Sequence, residues 1–312
     1  MTETKNFFPE GWLYDSTENK KAMFSPTLLN EAMQREDILE ATAKICDAEH
    51  NLIVDLGCMR GIIPRCEGAI GISEGKTRDI ALISRVGKPV SFTVKNIKTD
   101  RLGRLYAELS RKNAQEKFLS WFFENKTPGS VVNAKVTHLE NFGAFCDIGC
   151  GIIALLPIDA ISVSRISHPK DRFSVGDDIR AVIKCIDENK KITLSMKELL
   201  GTWEENADLF SEGQTVSGII RSVESYGVFV ELTPNLAGLA EPRPDAFIGQ
   251  TAGVYIKSIL KEKMKVKLII IDCFDGKQNT PLHYFSDTDY IDYWQYSPEN
   301  CIKNIYTDFL HQ

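Results

Sequence analysis

The stretch Glu140-Asn-Phe-Gly-Ala-Phe-Cys-Asp-Ile148 returns 84 positions later as Glu224-Ser-Tyr-Gly-Val-Phe-Val-Glu-Leu232. A repeat of this kind sets the number of structural units, so it is read before anything else. In each copy an aromatic, a glycine and a second aromatic are embedded in alternating apolar residues, the pattern of a half-buried strand. On a flat strand Phe142 and Phe145 would point to opposite faces. The glycine between them predicts a bulge or sharp bend that turns both rings onto one surface, and Tyr226 and Phe229 repeat the arrangement. Such a surface is a platform on which flat ligands stack.

Working outward from the first copy, four more segments have strand character: Gly129-Ser-Val-Val-Asn-Ala-Lys-Val136, Gly151-Ile-Ile-Ala-Leu-Leu-Pro157, Val175-Gly-Asp-Asp-Ile-Arg-Ala-Val-Ile-Lys184 and Ile192-Thr-Leu-Ser-Met-Lys197. Together with the aromatic motif they resemble the RNA-binding domain named after bacterial small-subunit ribosomal protein S-one. That domain is a five-stranded OB-type barrel with the motif on its second strand. The resemblance implies a mainly β chain of tandem five-stranded OB-fold barrels joined by short linker helices. It also implies that RNA bases stack on Phe142 and Phe145. Aromatic faces accept any base, at about 1 to 3 kcal/mol per base. Asp187 and Lys191 match the family's acidic and basic positions after the fourth strand. Pro157 replaces its third-strand histidine and removes one hydrogen-bonding group.

Lys135, His138, Arg172 and Lys184, with Arg180 and Lys190, are the expected phosphate contacts of this central copy. His168, in the loop before the fourth strand, is expected to bond a phosphate or 2′-hydroxyl. Residues 129–198 hold nine Lys/Arg against nine Asp/Glu, so the electrostatic footprint has to come from placement.

Residues 213–275 form the third copy, with Tyr226 and Phe229 as platform and Arg221 and Lys257 as basic contacts. Lys261, Lys263, Lys265 and Lys267 add charge, while Glu241 takes the family's histidine place and repels phosphate. Residues 37–112 read as a degenerate first copy. Glu49-His50-Asn51-Leu52 stands where the aromatic pair belongs, which predicts a barrel without a platform, suited to protein docking and to contact with the ribosome. The connectors are a helix at 113–128 crowded with Phe118, Trp121, Phe122 and Phe123, and a helix at 199–212. In the second, Thr202 is the expected N-cap and Trp203, Ala207 and Phe210 form a core-facing stripe. Residues 1–36 carry no assigned chemistry beyond a short helix around Leu28 to Met33. The tail at 276–312 is acidic and aromatic, and its rings are expected to cover an apolar surface of the third barrel or of a partner.

The 312 residues carry 37 Lys/Arg and 43 Asp/Glu, a net charge of −6, which excludes a globally polycationic nucleic-acid binder. No apolar run reaches the roughly 18 residues a membrane helix needs, and the start lacks a basic segment followed by an apolar core. The expectation is a cytoplasmic chain without membrane contact. The eight cysteines include no Cys-x-x-Cys pair and read as reduced thiols, with no metal. Gly68 to Gly75 lacks the Lys-Ser/Thr ending of a phosphate loop, and no catalytic constellation is present. The reading is a non-catalytic, cofactor-free protein that binds single-stranded RNA such as mRNA, in translation or mRNA handling. The alternative is a protein-docking or regulatory barrel module that binds no RNA, favoured by the net charge, Pro157, Glu241 and the acidic tail.

Overall fold

Strands of alternating polarity fold into three closed barrels in the computed structural model, which describes residues 7–276, 282–299 and 301–311. Residues 1–6 of the N-terminal extension and 277–281, 300 and 312 of the tail lie outside the described residues. The first barrel comprises β1 (Leu39–Cys46), β2 (Leu52–Asp55), β3 (Arg60–Ile63), β4 (Pro89–Thr99) and β5 (Leu105–Ser110). The central barrel comprises β6 (Val131–Glu140), β7 (Gly143–Asp147), β8 (Ile153–Pro157), β9 (Asp178–Ile186) and β10 (Ile192–Ser195). The third comprises β11 (Thr215–Glu224), β12 (Gly227–Thr233), β13 (Leu236–Ala240), β14 (Thr251–Leu260) and β15 (Lys265–Phe274). All three share one connectivity, in which the third strand pairs with the fifth in parallel and the fourth with the fifth antiparallel. The chain is mainly β, as the resemblance implied.

By contact the chain divides into two compact units. One holds the residues up to 126 together with 133–135 and 147–153; the other holds 127–132, 136–146 and 154 onward.

In the first unit the barrel core is built from inward-facing Leu52, Val54, Ile63, Val90, Phe92 and Leu109. The N-terminal segment has a structural role that its sequence did not disclose. Ser16 and Ser25 cap α1 (Thr17–Ala22) and α2 (Pro26–Gln34), and α2 presses Leu29 and Ala32 onto the barrel core. Before them the Glu40 carboxylate accepts the backbone N–H groups of Gly11, Leu13 and Tyr14 at 2.9 to 3.0 Å, and the Ser91 hydroxyl at 2.9 Å. Glu10 accepts from Arg111 Nε at 2.7 Å, and its own N–H donates to Asp147 at 2.8 Å. Burial would raise the Glu10 carboxyl, but Arg111, Arg85 and the Ser91 N–H outweigh it and hold it below the ordinary range. Burial pushes Glu40 up to about 7. Burial, then the Glu10 charge, pushes Asp147 up as well.

A short α3 (Ile80–Ile83) precedes β4, and α4 (Arg111–Asn125) follows β5 directly. It begins earlier than the expected 113 because the Ser110 hydroxyl caps it, accepting from Asn113 N at 2.9 Å. Phe118 and Phe122 are buried, and Phe118 meets Phe7 edge-on at 5.6 Å between ring centroids.

In the second unit α5 (Ile158–Ile161) continues from β8, and α6 (Trp203–Ala207) carries the expected Thr202 cap, completed by Glu205 as a capping box. Trp203 and Ala207 enter the core of the third barrel. The tail packs on the third barrel and on the residues of the central barrel that belong to this unit. Trp294 and Tyr296 join the third-barrel core, while Phe309 packs with Val131, Val182 and Leu199. Its last strands, β16 (Tyr293–Gln295) and β17 (Tyr306–Asp308), pair with each other.

Candidate nucleic-acid interface

The aromatic pair forms at a tight turn, the sharp bend rather than the bulge of the two forms expected at the glycine. Phe142 lies in the β6–β7 turn, outside either strand, so strand alternation does not govern its ring. Its carbonyl accepts Ile158 N at 2.9 Å, which pins the turn to the end of β8. Gly143 then opens β7, and a Cβ built there would lie 2.5 Å from the Leu156 carbonyl oxygen. At Gly227 the corresponding distance, to the Ala240 oxygen, is 2.6 Å. The glycine is thus required by close approach of the neighbouring strand. In the third barrel the bulge falls on the partner strand, between Ile220 and Ser222.

The outcome is the same in both barrels. Phe142 and Phe145 meet edge to face, with centroids 5.9 Å apart and planes at 89°; Tyr226 and Phe229 do so at 6.2 Å and 87°. Phe142 is 56% exposed and Tyr226 65%. Leaving rings of this size in water forfeits burial energy, and the edge-to-face contact keeps the pair together while ring faces stay open. In the central barrel His138 extends the surface, stacking on Phe145 at 6.3 Å and 25° with its Nε2 2.7 Å from Glu140. In the third barrel Ser222 stands opposite Phe229, Phe229 opposite Leu239, and Leu239 opposite Lys267. Lys267, counted in the sequence only as one of several lysines, is thereby placed on the platform row. Strand register alone reveals that position.

Three of the expected phosphate contacts are corrected. Arg172 and Arg221 are spent on a buried carboxylate: Arg172 reaches Glu231 at 2.8 and 2.5 Å, and Arg221 reaches it at 2.9 and 3.1 Å. Side-chain exposures of 3%, 10% and 1% for Arg172, Arg221 and Glu231 remove all three from solvent. Arg180 is committed as well, to the tail at Tyr284, Ser286 and Thr288. The reason is common to all three. A guanidinium that desolvates needs a bidentate or multidentate acceptor, and tertiary packing supplied one.

The other expected residues are distributed as follows. Lys184 is half-buried on β9 and Lys257 exposed on β14. Asp187 closes the β9–β10 turn by accepting Lys191 N at 2.7 Å, and Lys191 is exposed beside it. Lys135 is half-buried on β6, with its Nζ 3.9 Å from where a Cβ on Gly11 would stand. His168 is a helix cap: its Nδ1 accepts Lys170 N at 3.0 Å, while Asp171 accepts the His168 N–H at 3.3 Å. In the first barrel the turn that replaces the platform is closed by Asp47, which accepts Asn51 N at 2.8 Å, and no ring pair forms there. Among the described residues no group of three or more His, Cys, Asp or Glu is arranged to hold a metal ion. No helix among them is long and apolar enough to cross a membrane.

Comparison with known proteins agrees with this geometry. Residues 126–197 match the S1 RNA binding domain model. The chain is 28% identical over 264 residues to the small ribosomal subunit protein bS1 homolog of Bacillus subtilis, covering 81% of this chain and 64% of that protein. It is 29% identical to small ribosomal subunit protein bS1 of Staphylococcus aureus, covering 79% and 64%. It thus spans just under two thirds of the length of these relatives. Among solved structures, a multidomain protein with nucleic acid binding domains from Streptococcus pneumoniae aligns with 78% of this chain and 76% of its own, at 14% identity and a TM-score of 0.25, too low to bear on the fold. The chain therefore carries an S1 RNA binding domain at 126–197 and is homologous over most of its length to the bacterial ribosomal protein bS1.

Proposed function

We propose that this chain binds single-stranded RNA, mRNA in particular, by stacking bases on Phe142–Phe145 and on Tyr226–Phe229, and that it acts in translation without catalysing a reaction. The observation that carries the reading is the recurrence in two barrels of one perpendicular ring pair, with an exposed ring (Phe142 or Tyr226) beside a half-buried one (Phe145 or Phe229). A protein core would bury such rings, whereas a stacked base supplies the missing contact. Of the expected basic contacts, Lys184, Lys191 and Lys257 remain as steering charges, joined by Lys267. The first barrel, closed by Asp47 where a platform would be, is assigned to protein contact, with the ribosome as the partner implied by the resemblance to bS1. A cytoplasmic location follows from that role.

The test is fluorescence anisotropy of a labelled single-stranded oligonucleotide of about a dozen nucleotides, with RNA and DNA in parallel and salt varied. Salt-sensitive binding of RNA that Phe142→Ala/Phe145→Ala weakens, with circular dichroism unchanged, is the expected result. Absence of binding at low salt refutes the reading and leaves the protein-docking alternative.

A further inference from the structure

The segment that joins α5 to β9 in the central barrel does not end as a free loop. Val163 N donates to Asn235 Oδ1 at 3.0 Å and Ser164 N to the Pro234 carbonyl at 3.1 Å, both in the β12–β13 turn of the third barrel. Arg172, at the far end of the segment, is bound to Glu231 on β12, and Asp171 lies 3.7 Å from Arg221 on β11. Glu231 is two residues beyond Phe229 on the same face of β12, about 7 Å along the strand. Arg221 immediately precedes Ser222, the residue registered opposite Phe229. The segment is therefore seated on the outer face of β11 and β12, next to the third-barrel platform on both of its strands.

Charge on the seated segment is divided in a definite way. Arg172 and Arg221 are neutralised by Glu231 and Asp171. Arg165 and Lys170 are exposed, and their side chains make no ion pair among the described residues. Lys170 is also fixed in place through its backbone, which donates to the capping His168 ring. Lys170 thus adjoins the Asp171–Arg221 contact next to the platform, Arg165 follows Ser164 towards the far end of β12, and β13 is followed by the exposed Glu241, an anion that disfavours phosphate.

We propose that the third platform is a composite RNA site. The central barrel's α5–β9 segment forms its rim, and Arg165 and Lys170 contact the phosphates of RNA stacked on Tyr226 and Phe229. The assignment rests on the RNA reading above and adds to it a division of labour between barrels, in which a residue of one domain serves the platform of the next.

The test separates the two platforms. In a Phe142→Ala/Phe145→Ala chain, which leaves the third platform, adding Arg165→Ala/Lys170→Ala is expected to weaken RNA binding about tenfold at low salt. It should also reduce the slope of log K against log salt by about 1.4, since each phosphate contact on a single strand contributes about 0.7. In a Tyr226→Ala/Phe229→Ala chain, which leaves the central platform, the same pair should change affinity less than twofold. An equal loss in both backgrounds, or none in the first, overturns the composite site, because Arg165 and Lys170 would then act as general charge or not at all. RNA binding by the wild type that disappears in the Phe142→Ala/Phe145→Ala chain also overturns it, leaving the central platform as the RNA site. Failure of the wild type itself to bind RNA refutes the underlying reading.

Discussion

Glu40 offers the sharpest quantitative prediction. Its carboxyl is fully buried in the first unit, and burial raises it from the ordinary 4.5 to about 7. The folded chain keeps the Glu40 proton up to about pH 7, whereas the unfolded chain releases it near 4.5. This group's stabilisation is therefore fully present below about pH 4.5, falls as pH rises towards 7, and stays level above. Asp147, also raised, acts in the same direction; Glu10, held low, acts in the opposite one and weakens the fold only as pH falls through its depressed value. Between pH 5 and 8 the Glu40 contribution amounts to about 2.5 kcal/mol, or roughly 70-fold in an opening equilibrium. Glu40→Gln removes the titration and keeps the geometry, because its Oε1 can accept from Gly11, Leu13 and Tyr14 while its Nε2 donates to Ser91. Hydrogen exchange of the Gly11, Leu13 and Tyr14 amides, expressed as protection relative to an unstructured peptide at each pH, isolates the clamp from the rest of the chain. Wild-type protection should fall from pH 5 to 8 well beyond the change seen in Glu40→Gln, and the variant should be the better protected at pH 8. Parallel profiles for the two proteins would refute the argument, since they would show that Glu40 does not change protonation in this window.

Other consequences are more direct. Gly143→Ala or Gly227→Ala forces a Cβ against the Leu156 or Ala240 carbonyl, and should cost about 1 to 3 kcal/mol in urea unfolding while splitting the ring pair and weakening RNA binding at that barrel. Glu231→Ala leaves Arg172 buried without its carboxylate and Arg221 with only Asp171 at 3.7 Å, and should destabilise the second unit by about 3 to 5 kcal/mol; a loss below 1 kcal/mol would mean that water reaches the pair. Phe145→Ala should weaken RNA binding about 5- to 150-fold, corresponding to about 1 to 3 kcal/mol of stacking, with little change in salt slope. Lys267→Ala should lower that slope by about 0.7 with a modest loss of affinity, as expected of a phosphate contact on the third platform.

Much of the architecture was legible because it rests on local pattern. Alternating apolar residues and the repeated Phe/Tyr-Gly-x-Phe motif identified the barrels, and Thr202 with Glu205 and the Trp203/Ala207 stripe identified a capped helix and its buried face. The platforms were legible in residue identity but not in construction. A bulge or sharp bend at Gly143 was the local expectation, yet the glycine also answers to the Leu156 carbonyl of another strand, a contact that no local pattern contains.

Charges were where the sequence misled. Arg172 and Arg221 look like any solvated arginines, and Glu231 like any strand carboxylate, because ion pairing at 10 and 59 positions' separation leaves no periodic trace. The same holds for Glu10 and Arg111, paired across 101 positions. The sequence by itself determined which segments become strands, that two barrels display an aromatic pair and that the first does not, since these depend on residues within a few positions of one another. Only the tertiary structure decided which cations remain open to a ligand. Desolvation makes an unpaired buried charge intolerable, so partners are chosen by proximity in space, and what is left over for RNA is whatever folding did not consume.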